Sequence, residues 1–232
     1  MDRDVTALTG SDLCVSYRAV DGPVPAVVDV SLEVRSGSLV VLAGPSGSGK
    51  SSLLRVLGLI DRPTSGSLTL AGRDVLALGD RGRRRLRRTH LAYVHQRPVT
   101  NLVDDLRAHE QVAFALQARG RRAGTASGPV SGPVSGALER YGLAERSHSR
   151  PAHLSGGEQQ RLAIAMATAV MPVVLFADEP TAELDRHHAH EVIDALTRAA
   201  ADGQAVVVAS HDPDLIAAAG HVVRLREGRR ES

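Results

Sequence analysis

Two hydrophobic rhythms alternate along this chain. Residues 13–17, 27–34, 38–43, 67–71, 91–95, 173–177, 205–209 and 221–226 carry the short apolar or alternating runs of strands. Apolar positions at helical spacing predict helices over 50–60, 104–119, 157–170 and 187–201. The early strands follow one another closely, as in an antiparallel edge region. The later ones are separated by helices, as in parallel β-α-β units. The pattern predicts an α/β sheet core from 1–96 and 159–232, interrupted at 97–158 by a mainly helical insertion. Ala123 to Gly136 follows neither rhythm. It contains Ser-Gly-Pro-Val twice, at 127–130 and 131–134, and reads as a mobile surface loop.

Composition narrows the class. An apolar fraction of 43% over 232 residues suffices for a sizeable core. No apolar run approaches the ~18 residues of a membrane span. The acidic start Met1-Asp2-Arg3-Asp4 is unlike a signal peptide, and the single cysteine, Cys14, fits a reducing cytosol. A formal charge of +2 is too small to imply a polyanionic partner. The arginine run over 81–88 lacks interleaved aromatics and reads as a solvated helix face rather than a nucleic-acid site. His187, His188 and His190 lack the spaced partners of a metal site.

Against that background one residue stands out: Lys50 is the only lysine, the other 27 basic residues being arginines. It lies in Gly44-Pro45-Ser46-Gly47-Ser48-Gly49-Lys50-Ser51, which fits G-x-x-x-x-G-K-[ST] between a predicted strand and a predicted helix, with Ser52 following as a further nucleotide-binding candidate. A compact ammonium reaches between phosphate oxygens in a tight loop where a planar guanidinium does not fit. The glycines let backbone N–H groups converge on phosphate, and the helix N-terminus adds partial positive charge. These residues predict a nucleoside triphosphate site. The apolar run 173–177 delivers Asp178 and Glu179 to the end of a buried strand, where open α/β sheets bind ligands. With the Ser51 hydroxyl, Asp178 suits a magnesium shell, and Glu179 suits polarisation of an attacking water. In Leu154-Ser155-Gly156-Gly157-Glu158-Gln159, Ser155 and Glu158 have capping-box spacing. Two consecutive glycines are costly there and leave bare backbone for close approach to an anion.

Taken together, these motifs resemble the ATP-binding subunit of ATP-binding cassette (ABC) transporters over nearly the whole chain. Gly44–Ser51 matches the Walker A loop, Gln96 the Q-loop glutamine and Leu154–Gln159 the signature, with Glu158 in its fifth position. Val174–Asp178 matches Walker B, Glu179 the catalytic glutamate, residues 182–185 the D-loop and His211 the switch histidine. The resemblance implies a P-loop NTPase core, a RecA-like mainly parallel sheet, with an N-terminal antiparallel β part and a helical subdomain. It implies hydrolysis of ATP with Mg2+ held by Ser51, Gln96 and Asp178. Tyr17 would stack on adenine and His211 would contact the γ-phosphate. Ser155, Gly156 and Gly157 would complete the site of a second subunit, with Asp185 communicating across a homodimer or heterodimer.

Gly58–Gly66 and Asn101-Leu102 resemble the lipoprotein-releasing and macrolide-export branch. The implied partner is a transmembrane permease subunit, the implied place the cytoplasmic, inner face of the cell membrane, and no specific nucleic acid is expected. Residues 97–120 would form the partner's groove, floored by Leu102, Val103, Leu106, Val112 and Phe114. Met166, Thr168 and His95 depart from the family pattern without removing a catalytic group. The alternative is a soluble ABC ATPase acting on DNA or in cell division. The DNA-repair type carries a long coiled coil, whereas only 57 residues separate Gln96 from Leu154.

Overall fold

In the computed structural model, which describes residues 5–20, 22–120 and 132–231, the two rhythms become two sheets. The first is antiparallel, in the order β2 (Gly22–Arg35), β1 (Thr6–Ala19), β4 (Ser65–Leu70), β5 (Arg73–Asp74). The second runs β10 (Arg229–Arg230), β9 (His221–Arg226), β3 (Leu39–Ala43), β8 (Ala205–Ser210), β7 (Val174–Asp178), β6 (Leu91–Val94). All its neighbours pair parallel except β10, which folds back on β9. The expected α/β core with its antiparallel edge part is therefore present.

Alternation along the central strands explains the layering. Leu39, Val41 and Ala43 of β3 face one core, and Val40 and Leu42 face the other. Strand β7 divides likewise, with Leu175 and Ala177 on one side and Val174 and Phe176 on the other. Both faces are dry, so these strands read as continuous apolar runs. On one face lie α1 (Lys50–Leu57) and the antiparallel sheet. The other is covered by α3 (Ala108–Ala118), α4 (Pro133–Arg140), α5 (Gly156–Ala169), α6 (Arg186–Ala201) and α7 (Pro213–Ala218). Each fully buried Leu or Phe contributes roughly 1.5–3 kcal/mol to holding these layers together.

Three expectations need correction. Strands β1 and β2 extend beyond 13–17 and 27–34, because register shifts between Gly10 and Leu13 absorb the break in alternation. Asp12 takes the left-handed conformation there, at φ 53°. The tract at 123–136 is not loop throughout. Residues 123–131 lie outside the described residues, but α4 begins at Pro133 and buries Val134 and Leu138. Proline near a helix start has its φ already set, and Val134 anchors the helix to the core. The arginine run forms α2 (Asp80–His90), yet its face is not wholly solvated. Arg83 is buried and donates to the Leu59 and Asp61 carbonyls, and Arg87 donates to Leu59 at 2.6 Å. These guanidiniums satisfy the carbonyls that follow α1.

Candidate active site

The phosphate-type loop joins β3 to α1, and close packing on both sides dictates its glycines. A Cβ on Gly44 (φ 154°) would meet the Leu225 carbonyl at 2.2 Å, and one on Gly49 (φ 97°) would meet the Ala26 carbonyl at 2.2 Å. Gly47 (φ 78°) would meet nothing within 4 Å, so its backbone conformation alone calls for glycine. Pro45 and Ser46 are exposed at the tip, and Ser52 is half-buried on α1. Lys50 is 5% exposed. Its ammonium donates to the Gly44 carbonyl at 2.9 Å and the Pro45 carbonyl at 3.1 Å, and lies 3.4 Å from Glu179 Oε1. The buried Ser48 hydroxyl has no hydrogen-bond partner, a polar atom left for a ligand oxygen.

Parallel pairing of β3, β8 and β7 brings the carboxylates alongside this loop. Ser51 Oγ donates to Asp178 Oδ1 at 2.9 Å, across 127 residues of sequence. Glu179 adopts φ 44°, uncommon for a residue with a side chain, while its N–H donates to the Ala209 carbonyl at 2.8 Å. This twist turns its carboxylate to Lys50 on one side and to His211 Nδ1, 3.1 Å away, on the other. Lys50, Glu179 and His211 thus form one polar cluster at the strand ends. Tyr93 was not among the expected site residues. From β6, next to β7, its hydroxyl reaches Asp178 Oδ2 at 3.3 Å. Burial, then the Asp178 charge, pushes its ionisation well above the usual tyrosine value, so it remains a donor. The available signal was an aromatic in the strand just before Gln96; its pairing beside Walker B was not readable.

At the head of α5, Ser155 Oγ accepts the Glu158 N–H at 3.2 Å and Ser155 N donates to Glu158 Oε2 at 2.8 Å, completing the capping box. The other Glu158 oxygen takes Arg146 Nε at 2.9 Å. Partial burial alone would raise that carboxyl, but the Ser155 N–H and Arg146 overcome it and hold it below the usual range. Both Glu158 oxygens are therefore committed within the chain. Ser155 and Gly156 are exposed and Gly157 is buried. Asp185 caps α6, accepting the His188 N–H at 3.0 Å. Gln96 is exposed and shares a cavity of about 200 Å³ with Gly156, Gln159 and Leu184. Tyr17 is 43% exposed, with its hydroxyl 3.3 Å from Asp61 Oδ2. Among the described residues, no hydrogen bond or ion pair joins 155–157 to the Lys50 cluster.

The donor set suits a magnesium nucleotide: a hydroxyl and a carboxylate, both hard oxygen ligands, flank a glycine cradle too tight for any Cβ at Gly44 or Gly49. In the proposed groove, Leu102 and Val112 belong to the core instead, while Val103 and Phe114 are exposed. In the histidine run, His188 meets Asp185 and His190 meets Asp214. No helix of the described residues is long and apolar enough to cross a membrane.

Comparison with known proteins agrees with this geometry. The ABC transporter family pattern matches residues 27–182. The lipoprotein-releasing system ATP-binding protein LolD of Paramagnetospirillum magneticum is 43% identical over 203 residues, 85% of each chain. The macrolide export ATP-binding/permease protein MacB of Bradyrhizobium diazoefficiens is 39% identical over 218 residues, 94% of this chain but 32% of MacB. Among solved structures, the dimeric post-hydrolysis state of the ATP-binding cassette MJ0796 bound to ADP and Pi superposes with a TM-score of 0.82 at 30% identity, covering 97% of both chains. The chain belongs to the ABC transporter family, as an ATP-hydrolysing subunit on its lipoprotein-releasing and macrolide-export side.

Proposed function

We propose that two such subunits, identical or closely related, close head to tail over two ATP molecules. Lys50 then exchanges its carbonyl and Glu179 contacts for phosphate oxygens, and the loop N–H groups of 46–51 donate to the remaining phosphate oxygens. Freed from the ammonium, Glu179 accepts a proton from the attacking water, whose oxygen bonds to the γ-phosphorus as the bond to the β–γ bridging oxygen breaks and ADP leaves, while His211 holds the carboxylate beside the γ-phosphate. Ser51, Asp178 and Gln96 would hold Mg2+, which neutralises charge on the phosphates. Tyr17 offers an exposed ring for adenine, and Ser155, Gly156 and Gly157 cap the nucleotide on the other subunit.

The observation that carries this reading is Glu179, turned by its φ of 44° between Lys50 and His211. The exposed, capped head of α5 supports the second half, because a helix N-terminus attracts an anion and Ser155 and Gly156 stand open to solvent there. Closure would drive a transmembrane permease subunit from the cytoplasmic face of the membrane. A groove of about 410 Å³ between β6, α3 and α5, lined by Tyr93, His95, Ala115 and Met166, supports contact with that partner. It differs from the apolar floor expected from the sequence.

Substituting Glu179→Gln tests the scheme. Phosphate release should fall by about 10²–10⁴, the range for loss of a general base. ATP should be retained, and a dimer should appear by gel filtration. A variant that stays monomeric with ATP while turnover is lost would remove the sandwich from the proposal.

A further inference from the structure

His188 stands where two elements meet, and no role above accounts for it. It lies in the first turn of α6 with its side chain 31% exposed. Nδ1 is 2.6 Å from Asp185 Oδ2, and its backbone N–H donates to Asp185 Oδ1 at 3.0 Å. A carboxylate can only accept, so Nδ1 carries the shared proton. The His188 N–H, then the imidazole, holds the Asp185 carboxyl below its ordinary value.

The same imidazole lies against the head of α5. A Cβ on Gly157 would fall 2.5 Å from His188 Cδ2 and 2.7 Å from its Cβ and Cγ. On Gly156 a Cβ would meet only Leu184 Cδ2, at 3.6 Å, an ordinary contact. The two consecutive glycines therefore have different reasons. Gly156 leaves open backbone, whereas Gly157 makes room for a ring from the next helix. Further along, Arg161 of α5 bonds Glu191 of α6, so the helices are tied at two levels.

We infer that His188 is a positioning residue that locks the Asp185 carboxylate to the head of α5, so that D-loop and signature meet the neighbouring subunit as one preformed unit. The inference rests on the head-to-tail reading above. Preformed contacts lower the ordering cost of association, so His188 acts on closure and leaves ATP binding to a single subunit alone.

The test places His188→Ala and His188→Asn in the Glu179→Gln chain. Dimer formation is followed by gel filtration across an ATP titration, and single-subunit affinity with a fluorescent ATP analogue. His188→Ala should raise the ATP needed for half-maximal dimer about tenfold, the scale of one hydrogen bond to a charged group. Affinity for the analogue should stay within about twofold, because the Lys50 cluster is untouched. Asparagine, whose Nδ2 can take the place of Nδ1, should recover most of the loss. Dimerisation of His188→Ala at the parent's ATP concentration overturns the inference. A Glu179→Gln parent that stays monomeric refutes the head-to-tail reading and the inference with it. Should His188→Ala fail to fold, His188→Asn and His188→Gln carry the test. Glutamine moves the donor one bond further out, and equal dimerisation by the two also overturns the inference.

Discussion

The Lys50 cradle and the Ser155 head of α5 are both glycine-rich helix starts, but the fold supports them differently. The cradle is wired to distant chain. Its glycines press on the Leu225 and Ala26 carbonyls, and its ammonium and hydroxyl reach Glu179 and Asp178. The head of α5 is organised chiefly by near neighbours, Glu158 three residues on and Arg146 nine residues back, with His188 a more remote support. A half-site that binds on its own needs many long-range supports to be preformed before ligand arrives. One that only caps needs an exposed, correctly oriented end.

That contrast can be broken at either side. The largest effect should come from Lys50→Ala. Loss of a charge-assisted contact to phosphate is worth about 3 kcal/mol, so single-subunit ATP affinity should drop on the order of 100-fold by equilibrium titration. Unchanged affinity would make the cradle no different from the α5 head.

Ser155→Ala should act the other way round. It removes the cap acceptor for the Glu158 N–H, costing about 1 kcal/mol. Calorimetry should then show a melting temperature lower by about 2–4 °C. ATP affinity of the single subunit should not move, and a fall comparable to that of Lys50→Ala would collapse the distinction. Glycine at 155 should cost only a few tenths of a kcal/mol, because a bare Ncap is nearly as well tolerated.

The smallest effect concerns Asp61, just beyond α1, which takes Arg55 through 2.7 and 3.0 Å bonds. That hydrogen-bonded guanidinium holds the carboxyl below its ordinary value. A depressed folded value stabilises the fold above the unfolded pKa of about 3.9, and the gain is lost as pH falls through the folded value. The melting difference between wild type and Asp61→Asn should be complete at neutral pH and narrow as pH drops below about 4. With Arg55 half exposed it should stay under about 1 kcal/mol. A difference that widened on acidification would reverse the assigned cause.

Local chemistry carried much of this protein on its face. The continuous apolar runs that became β3, β7 and β8 were legible because burial on both sides removes alternation. The Ser155–Glu158 capping box was legible because its partners lie within one turn. Lys50 could be singled out because a lone lysine among arginines, closing a glycine loop, has few other uses. The sequence by itself therefore determined the element types, the phosphate-type loop and the chemical identity of the cluster.

Only the tertiary structure decided which groups meet. Strand pairing set Tyr93 on Asp178, and the β7–β8 junction twisted Glu179 between Lys50 and His211. Packing of α6 on α5 gave Gly157 a steric reason that an anion-approach argument does not contain. Arg83 left the expected solvated face because unpaired carbonyls after α1 lay within its reach. Each of these depends on partners tens of residues away, and side-chain periodicity carries no record of which distant surface a face will meet.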